Sequence, residues 1–193
     1  MFANPIIPSN VRLYAAVIIR TNSKRKVTVL AGEGVGIKRV PVLTVACLSR
    51  KGPLEGIPAA CRELEAWVKE RGYRVAGLPI AVYHSNPLDV PAAELLWEVR
   101  LPLKPGTPLS EPVDDGPGVK KVPTREVAYV YHRGGYETIG PVMQMLFRWI
   151  FAAGYRLAGP AEEVFFNDLA TTPAAELEAE VRFPVEKRAA RHA

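Results

Sequence analysis

The sequence predicts an α+β fold in which two β-α-β-β repeats build one antiparallel sheet assembly, with an N-terminal β-hairpin added before them. Three observations predict it. Residues 38–103 align without a gap on residues 120–185, with 25 of 66 pairs identical, so the chain contains a duplication. Each copy carries the same succession of β-branched runs around a single amphipathic helical pattern. Between the copies, Lys104 to Val119 holds Pro105, Gly106, Pro108, Pro112, Gly116, Pro117 and Gly118, a composition that suits a linker and not a regular element.

The elements follow in chain order. Residues 1–37 read as a hairpin: VRLYAAVII and KVTVLAG flank the turn TNSKRK, and Val11, Leu13, Ala15, Val17 and Ile19 alternate. GEGVG at 32–36 lacks the GxGxxG spacing and reads as a loop. VPVLTVACLS and VPTREVAYVY open the copies as strands. In copy one a helix starts at Pro58, buries Ile57, Cys61, Leu64, Trp67 and Val68, and stops at Gly72. In copy two it starts at Pro141, carries Val142, Met143, Leu146, Trp149 and Ile150, and stops at Gly154. The motif GYR-x-AG therefore marks a helix end, after which the chain returns as a strand at Ile80 to Ser85, or Glu163 to Asn167. A last strand, Ala93 to Leu103 or Ala175 to Val185, closes each repeat, 38–103 and 120–186, and a basic tail of residues 187–193 follows.

Composition bounds the function. With 48% hydrophobic and 23% charged residues in 193, the chain is an ordinary globular one. No window is apolar enough for a membrane helix and the start lacks a signal core, so no membrane partner and a cytoplasmic location are expected. Cys47 and Cys61 have no CxxC spacing and three histidines offer little to a metal, so buried thiols, no metal and no cofactor are expected. The net charge of +5 sits partly in Lys24-Arg25-Lys26 and the tail, short runs that read as solvated, so no direct nucleic-acid partner is expected. The oligomeric state has no sequence signal.

Strand alternation places Leu177, Ala179, Val181, Phe183 and Val185 on one face of the last strand, where the helix belongs, and Glu176, Glu178, Glu180 and Arg182 on the other. In copy one the second row is Glu94, Leu96, Glu98 and Arg100. These carboxylates are either solvated partners of the arginines or the wall of a groove. Tyr129, Tyr131, Tyr136, Tyr155, Phe165 and Phe166 in copy two, with Tyr73, Tyr83 and Trp97 in copy one, supply aromatics nearby. Carboxylates among ring faces suit a flat organic cation.

YVYHRGGYETIG, then LFRWIFAAGYRLAGP, a short acidic-aromatic strand and ELEAEVRFPV resemble the GyrI-like small-molecule-binding domains, also found as effector-binding regions of AraC-type and MerR-type regulators. The likeness runs over about residues 38 to 186. It implies helices outside a central ligand groove between the repeats, taking small aromatic or cationic compounds. It also implies a groove Glu from a closing strand, best matched by Glu180 and then Glu178, with aromatic walls at Tyr136, Trp149, Tyr155 and Phe165. Copy one departs from it, with Gly52-Pro53-Leu54 where copy two has Gly134-Gly135-Tyr136, and residues 1–37 have no counterpart in the resemblance.

Three functions are compatible with this reading. The first is a ligand-binding protein that senses or sequesters amphipathic compounds; the residues before the repeats are too few and too strand-like for a DNA-reading helix-turn-helix. The second, implied by relatives of the resemblance, is a hydrolase of strained, cyclopropanoid-type rings with Glu180 or Glu178 as base and Tyr136 as proton donor. The third is a protein-interaction module such as a gyrase modulator, against which the positive net charge argues as a DNA mimic.

Overall fold

The computed structural model describes residues 34–86 and 89–188, the side chains of residues 136 and 137 excepted; the N-terminal hairpin expected over 1–37 lies, but for its last residues, outside them. The chain divides into Met1–Gly34 and Val35–Ala193, and every element named here belongs to the second unit.

Its elements are β1 (Gly36–Val40), β2 (Leu43–Lys51), α1 (Ile57–Glu70), β3 (Ile80–Tyr83), β4 (Leu96–Leu103), β5 (Gly118–Val122), β6 (Arg125–Arg133), α2 (Tyr136–Ala152), β7 (Tyr155–Leu157), β8 (Ala161–Phe165) and β9 (Glu178–Lys187). All strands join one antiparallel sheet in the order β1-β6-β9-β8-β3-β4-β2-β5, with β7 also on β9. The order is a palindrome of the duplication. Its centre is the β3–β8 pair, where Ala81 faces Glu163, residues that occupy equivalent positions in the two copies. A pseudo-twofold axis therefore passes between them.

The single opening strand expected in each copy is two. Pro41 and Pro123 lack the N–H that would continue a ladder, and the chain bends there. The piece before each bend then crosses to the other repeat: β1 pairs with β6, and β5 with β2. Exchange of these strands ties the halves together. It also shortens the linker, because β5 begins at Gly118.

The second helix also begins earlier than Pro141, which lies inside α2. Pro141 is the sixth residue of the helix, past the first turn, and has no N–H to offer the carbonyl four residues before it. In copy one Pro58 has no N–H for the Leu54 carbonyl. That carbonyl instead accepts from Ile57, closing a separate 3-10 turn at Leu54–Gly56 before α1. Gly72 and Gly154 follow the helices with φ of 68° and 79°, the left-handed stop that GYR-x-AG signals. The closing strands start later than expected because 3-10 turns at Ala92–Glu94 and Ala174–Glu176 precede them, which removes Glu94 and Glu176 from the strand rows.

Both helices lie on one face. α1 packs on β2 and β4, and α2 on β6, β7 and β9, so β3 and β8 run beneath the seam between them. The core there joins Ile57, Leu64 and Val68 of α1 with Leu146 and Ile150 of α2 and Leu48, Val99, Phe165 and Val181 of the sheet. Each such fully buried side chain contributes about 2 kcal/mol of transfer free energy. Cys47 and Cys61 are buried free thiols. No helix among the described residues is long and apolar enough to cross a membrane.

Candidate functional site

The pleat sends successive side chains to opposite faces, so the sheet presents two different chemistries. On the face away from the helices lie Glu98 and Arg100 of β4, Glu162 of β8, and Glu180 and Arg182 of β9. Lys38, Lys120 and Arg125 reach them from β1, β5 and β6. Sequence alternation had put the β4 and β9 residues on this face, and all five of the strand-borne groups are buried.

Two triads are related by the duplication. Lys38 bonds Glu180 at 2.5 Å and Arg182 bonds the same carboxylate at 3.4 Å; Lys120 bonds Glu98 at 2.6 Å, and Arg100 Nε also donates to Glu98. Lys38 Nζ further stands 4.5 Å from the centre of the Tyr129 ring. That ring lies over Gly36, where an added Cβ would come within 2.8 Å of it. A ring face and a carboxylate thus hold an ammonium, the arrangement foreseen for a ligand, with the protein's own lysine in it.

Between the triads sits Glu162. Arg125 Nη2 donates to both of its oxygens at 2.7 and 2.8 Å, Arg182 Nε donates at 2.7 Å, and Arg100 stands at 3.5 Å. Burial opposes ionisation of Glu162, but the Arg182 and Arg125 charges outweigh it and hold the carboxyl below its ordinary range. The same balance, with Arg100 and Lys120 as the cations, keeps Glu98 low. A cavity of about 570 Å³ opens beside Glu162, lined by Arg100, Thr124, Arg125, Pro160 and Lys187 among others.

The helix-facing side holds a different carboxyl. Glu163, one residue on and so on the opposite face, is 4% exposed and flanked in the sheet by Ala81 and Val181. Tyr83 donates its hydroxyl to Glu163 at 2.5 Å. No cation is paired with Glu163 among the described residues. Burial pushes its pKa up to about 7, the Tyr83 hydrogen bond pulling the other way. A carboxyl tuned to neutrality at the seam between two helices is a candidate for ligand or proton chemistry.

The residues singled out from sequence divide accordingly. Glu98 and Glu180 stand on the charged face, and Glu178 is exposed at its edge, 3.9 Å from Arg133. Trp97 and Phe165 are buried on the helix side, where Trp97 Nε1 donates to the Gly52 carbonyl at 2.9 Å. Half-buried Trp149 and Tyr155 pack on the same core. The sheet therefore separates the carboxylates Glu98 and Glu180 from these aromatics. Tyr136 opens α2, and its side chain lies outside the described residues. Glu163 and Tyr83 were not assembled as a site from sequence. The signal was present, since adjacent Glu162 and Glu163 in one strand cannot share a face.

The GyrI-like small molecule binding domain matches this chain over residues 7–104 and 106–186, the first stretch reaching into the N-terminal extension. The sequence matches no curated protein. Among solved structures, the crystal structure of the EcmrR C-terminal domain has a TM-score of 0.65 at 19% identity, covering 80% of this chain and 98% of that one. The EcmrR–DNA complex seen by cryo-electron microscopy gives 0.68 at 17% identity over 80% of this chain, which spans only 57% of that chain's length. The crystal structure of a hydrolase from Listeria innocua gives 0.59 at 16% identity, covering 79% of this chain and 92% of that one. At these identities the likeness is one of fold.

Proposed function

The chain belongs to the GyrI-like small molecule binding domain family, and we propose that it captures aromatic cations, for sensing or sequestration, with Glu163 as the carboxylate that answers their charge. The observation that carries this is a carboxyl 4% exposed, with a tyrosine hydroxyl but no described cation beside it. Such a group is costly to ionise alone, and a ligand cation removes that cost. Glu180 and Glu98 are in the opposite position: Lys38, Arg182, Lys120 and Arg100 already neutralise them. The ligand's rings would lie between the helices, with Trp149 and Tyr155 at the border.

Fluorescence titration of a flat cationic dye, with an uncharged dye of similar shape as control, tests this. Cation affinity is expected to rise with pH through about 7 as Glu163 ionises and to fall tenfold or more in Glu163→Gln, while Glu180→Gln binds as the parent does. Equal binding by Glu163→Gln and the parent would sink the assignment.

A second reading is favoured by the same pair. With its pKa near 7 and Tyr83 within hydrogen-bond reach, Glu163 could take a proton from water as the water opens a strained ring, Tyr83 then donating to the leaving atom. A structural neighbour of similar fold is described as a hydrolase. Ring opening of a cyclopropanoid substrate that survives Glu163→Gln unchanged would remove this reading.

A further inference from the structure

The charged face carries an imbalance that the helix-side reading does not use. Five cations, Lys38, Arg100, Lys120, Arg125 and Arg182, surround three carboxylates, Glu98, Glu162 and Glu180, in one connected network. Two positive charges are left over, and the three arginine side chains are 7–13% exposed, out of reach of full hydration. Two of their N–H groups are also idle. Arg125 Nε and Arg182 Nη2 are buried and have no hydrogen-bond partner among the described residues.

Each Lys-Glu-Arg triad contributes one of the two surplus charges, and what is confined to one repeat is the further Arg125–Glu162 pair. Where the second copy has Arg125 and Glu162, the first has Leu43 and Ile80, and the Lys-Glu-Arg triads alone occur in both. The added pair lies at the cavity of about 570 Å³, which Arg100, Arg125 and Glu162 line together. A structural salt bridge would need one arginine for one carboxylate. Here three guanidinium groups converge on one carboxylate beside open volume.

We propose that this cavity is a second ligand site, on the sheet face opposite the helices, which takes a small oxyanion such as a carboxylate or a phosphate group. The guanidinium groups of Arg125 and Arg100, which line it, are its donors, and Glu162 holds them in place. Planar N–H donors match the oxygen spacing of carboxylate and phosphate; because Glu126, Glu162 and Glu186 line the cavity with Arg100, Arg125 and Lys187, the match of donor geometry and not net charge selects the ligand. The inference stands independently of Glu163.

Calorimetric titration of the full chain with inorganic phosphate, and separately with benzoate, tests it. Saturable 1:1 binding is expected, with a Kd of about 1 mM or tighter for at least one of the two, weakening as chloride is raised. The arms separate the sources: phosphate alone, benzoate alone, or both would identify the oxyanion class, and each supports the site. The decisive variant is Glu162→Ile with Arg125→Leu, which installs in the second repeat what the first already contains; affinity should fall at least tenfold. Should that variant fail to fold by circular dichroism, Arg125→Lys keeps the charge, removes the planar guanidinium fork, and is expected to weaken binding severalfold. No saturable binding by the parent overturns the proposal, as does undiminished binding by the folded double variant or, failing that, by Arg125→Lys.

Discussion

At equivalent positions the two repeats carry opposite chemistry. Leu43, Ile80 and Ala81 in the first stand where Arg125, Glu162 and Glu163 stand in the second, while Tyr83 answers to Phe165. The backbones follow the same path and their strands pair in matching register. The difference teaches that a duplicated fold can keep one half as scaffold while the other acquires ionisable groups. Because the axis runs between Ala81 and Glu163, a single substitution there places one carboxyl at the centre of the whole sheet.

The largest expected effect comes from breaking the acquired pair halfway. Glu162→Ile alone leaves Arg125 and Arg182 buried without their carboxylate and should lower unfolding free energy by about 3–5 kcal/mol. Adding Arg125→Leu should restore much of that loss, since an apolar pair already serves the first repeat. Urea unfolding of the single and double variants measures both. If the double variant is no more stable than Glu162→Ile alone, the two residues are not a coupled pair.

Next comes the pH dependence of Glu163. Its folded pKa of about 7 lies above the ordinary 4.5, so below pH 4.5 both states are protonated and the full stability is present. As pH rises the unfolded chain ionises first, and stability falls until about pH 7, by about 3 kcal/mol in total. Glu163→Gln should flatten this decline, and Ala81, its counterpart, offers no such group. Unfolding midpoints at pH 4.5 to 8 for parent and variant would show it; parallel curves would mean Glu163 titrates normally.

Much of this was open to reading from the sequence, for identifiable reasons. Duplication, Gly72, Gly154 and strand alternation are local or repetitive signals, so the helix ends and the Glu98–Arg100 and Glu180–Arg182 rows could be placed. What could not be read was long-range. Which strand β1 and β5 pair with depends on the bends at Pro41 and Pro123, not on residue preference within the strand. Lys38 therefore met Glu180 only in three dimensions, 142 positions away. Trp97 misled for a similar reason: it neighbours Glu98 along the chain, yet the pleat puts it on the other side. Starting β8 at Glu163 instead of Ala161 hid the Glu162–Glu163 pair, whose members must part company.

Tyr83→Phe sharpens the comparison by giving the first repeat the ring of Phe165. It removes the hydroxyl that stabilises ionised Glu163, so the carboxyl's pKa should climb further. A stability loss of about 1 kcal/mol is expected, the usual worth of one buried hydrogen bond. Carbon-13 NMR titration of the glutamate carboxyls would follow the shift. A titration that stays in place would show that Tyr83 does not govern Glu163.

The smallest effect concerns the lysines that the two repeats still share. Lys38 and Lys120 each bond a buried carboxylate and have side chains 38% and 43% exposed, so solvent screens both and either ion pair is worth at most about 1 kcal/mol. They differ in one neighbour. Lys38 has the Tyr129 ring at 4.5 Å, whereas the position equivalent to Tyr129 in the first repeat is Cys47. A ring face adds about 0.5 kcal/mol at such a site. Lys38→Met should therefore cost about 0.5 kcal/mol more than Lys120→Met in urea unfolding, and the excess should vanish when both are made in a Tyr129→Leu background. An excess that persists without the ring would place its origin in the triads themselves, and the two halves would then differ even where their sequences agree.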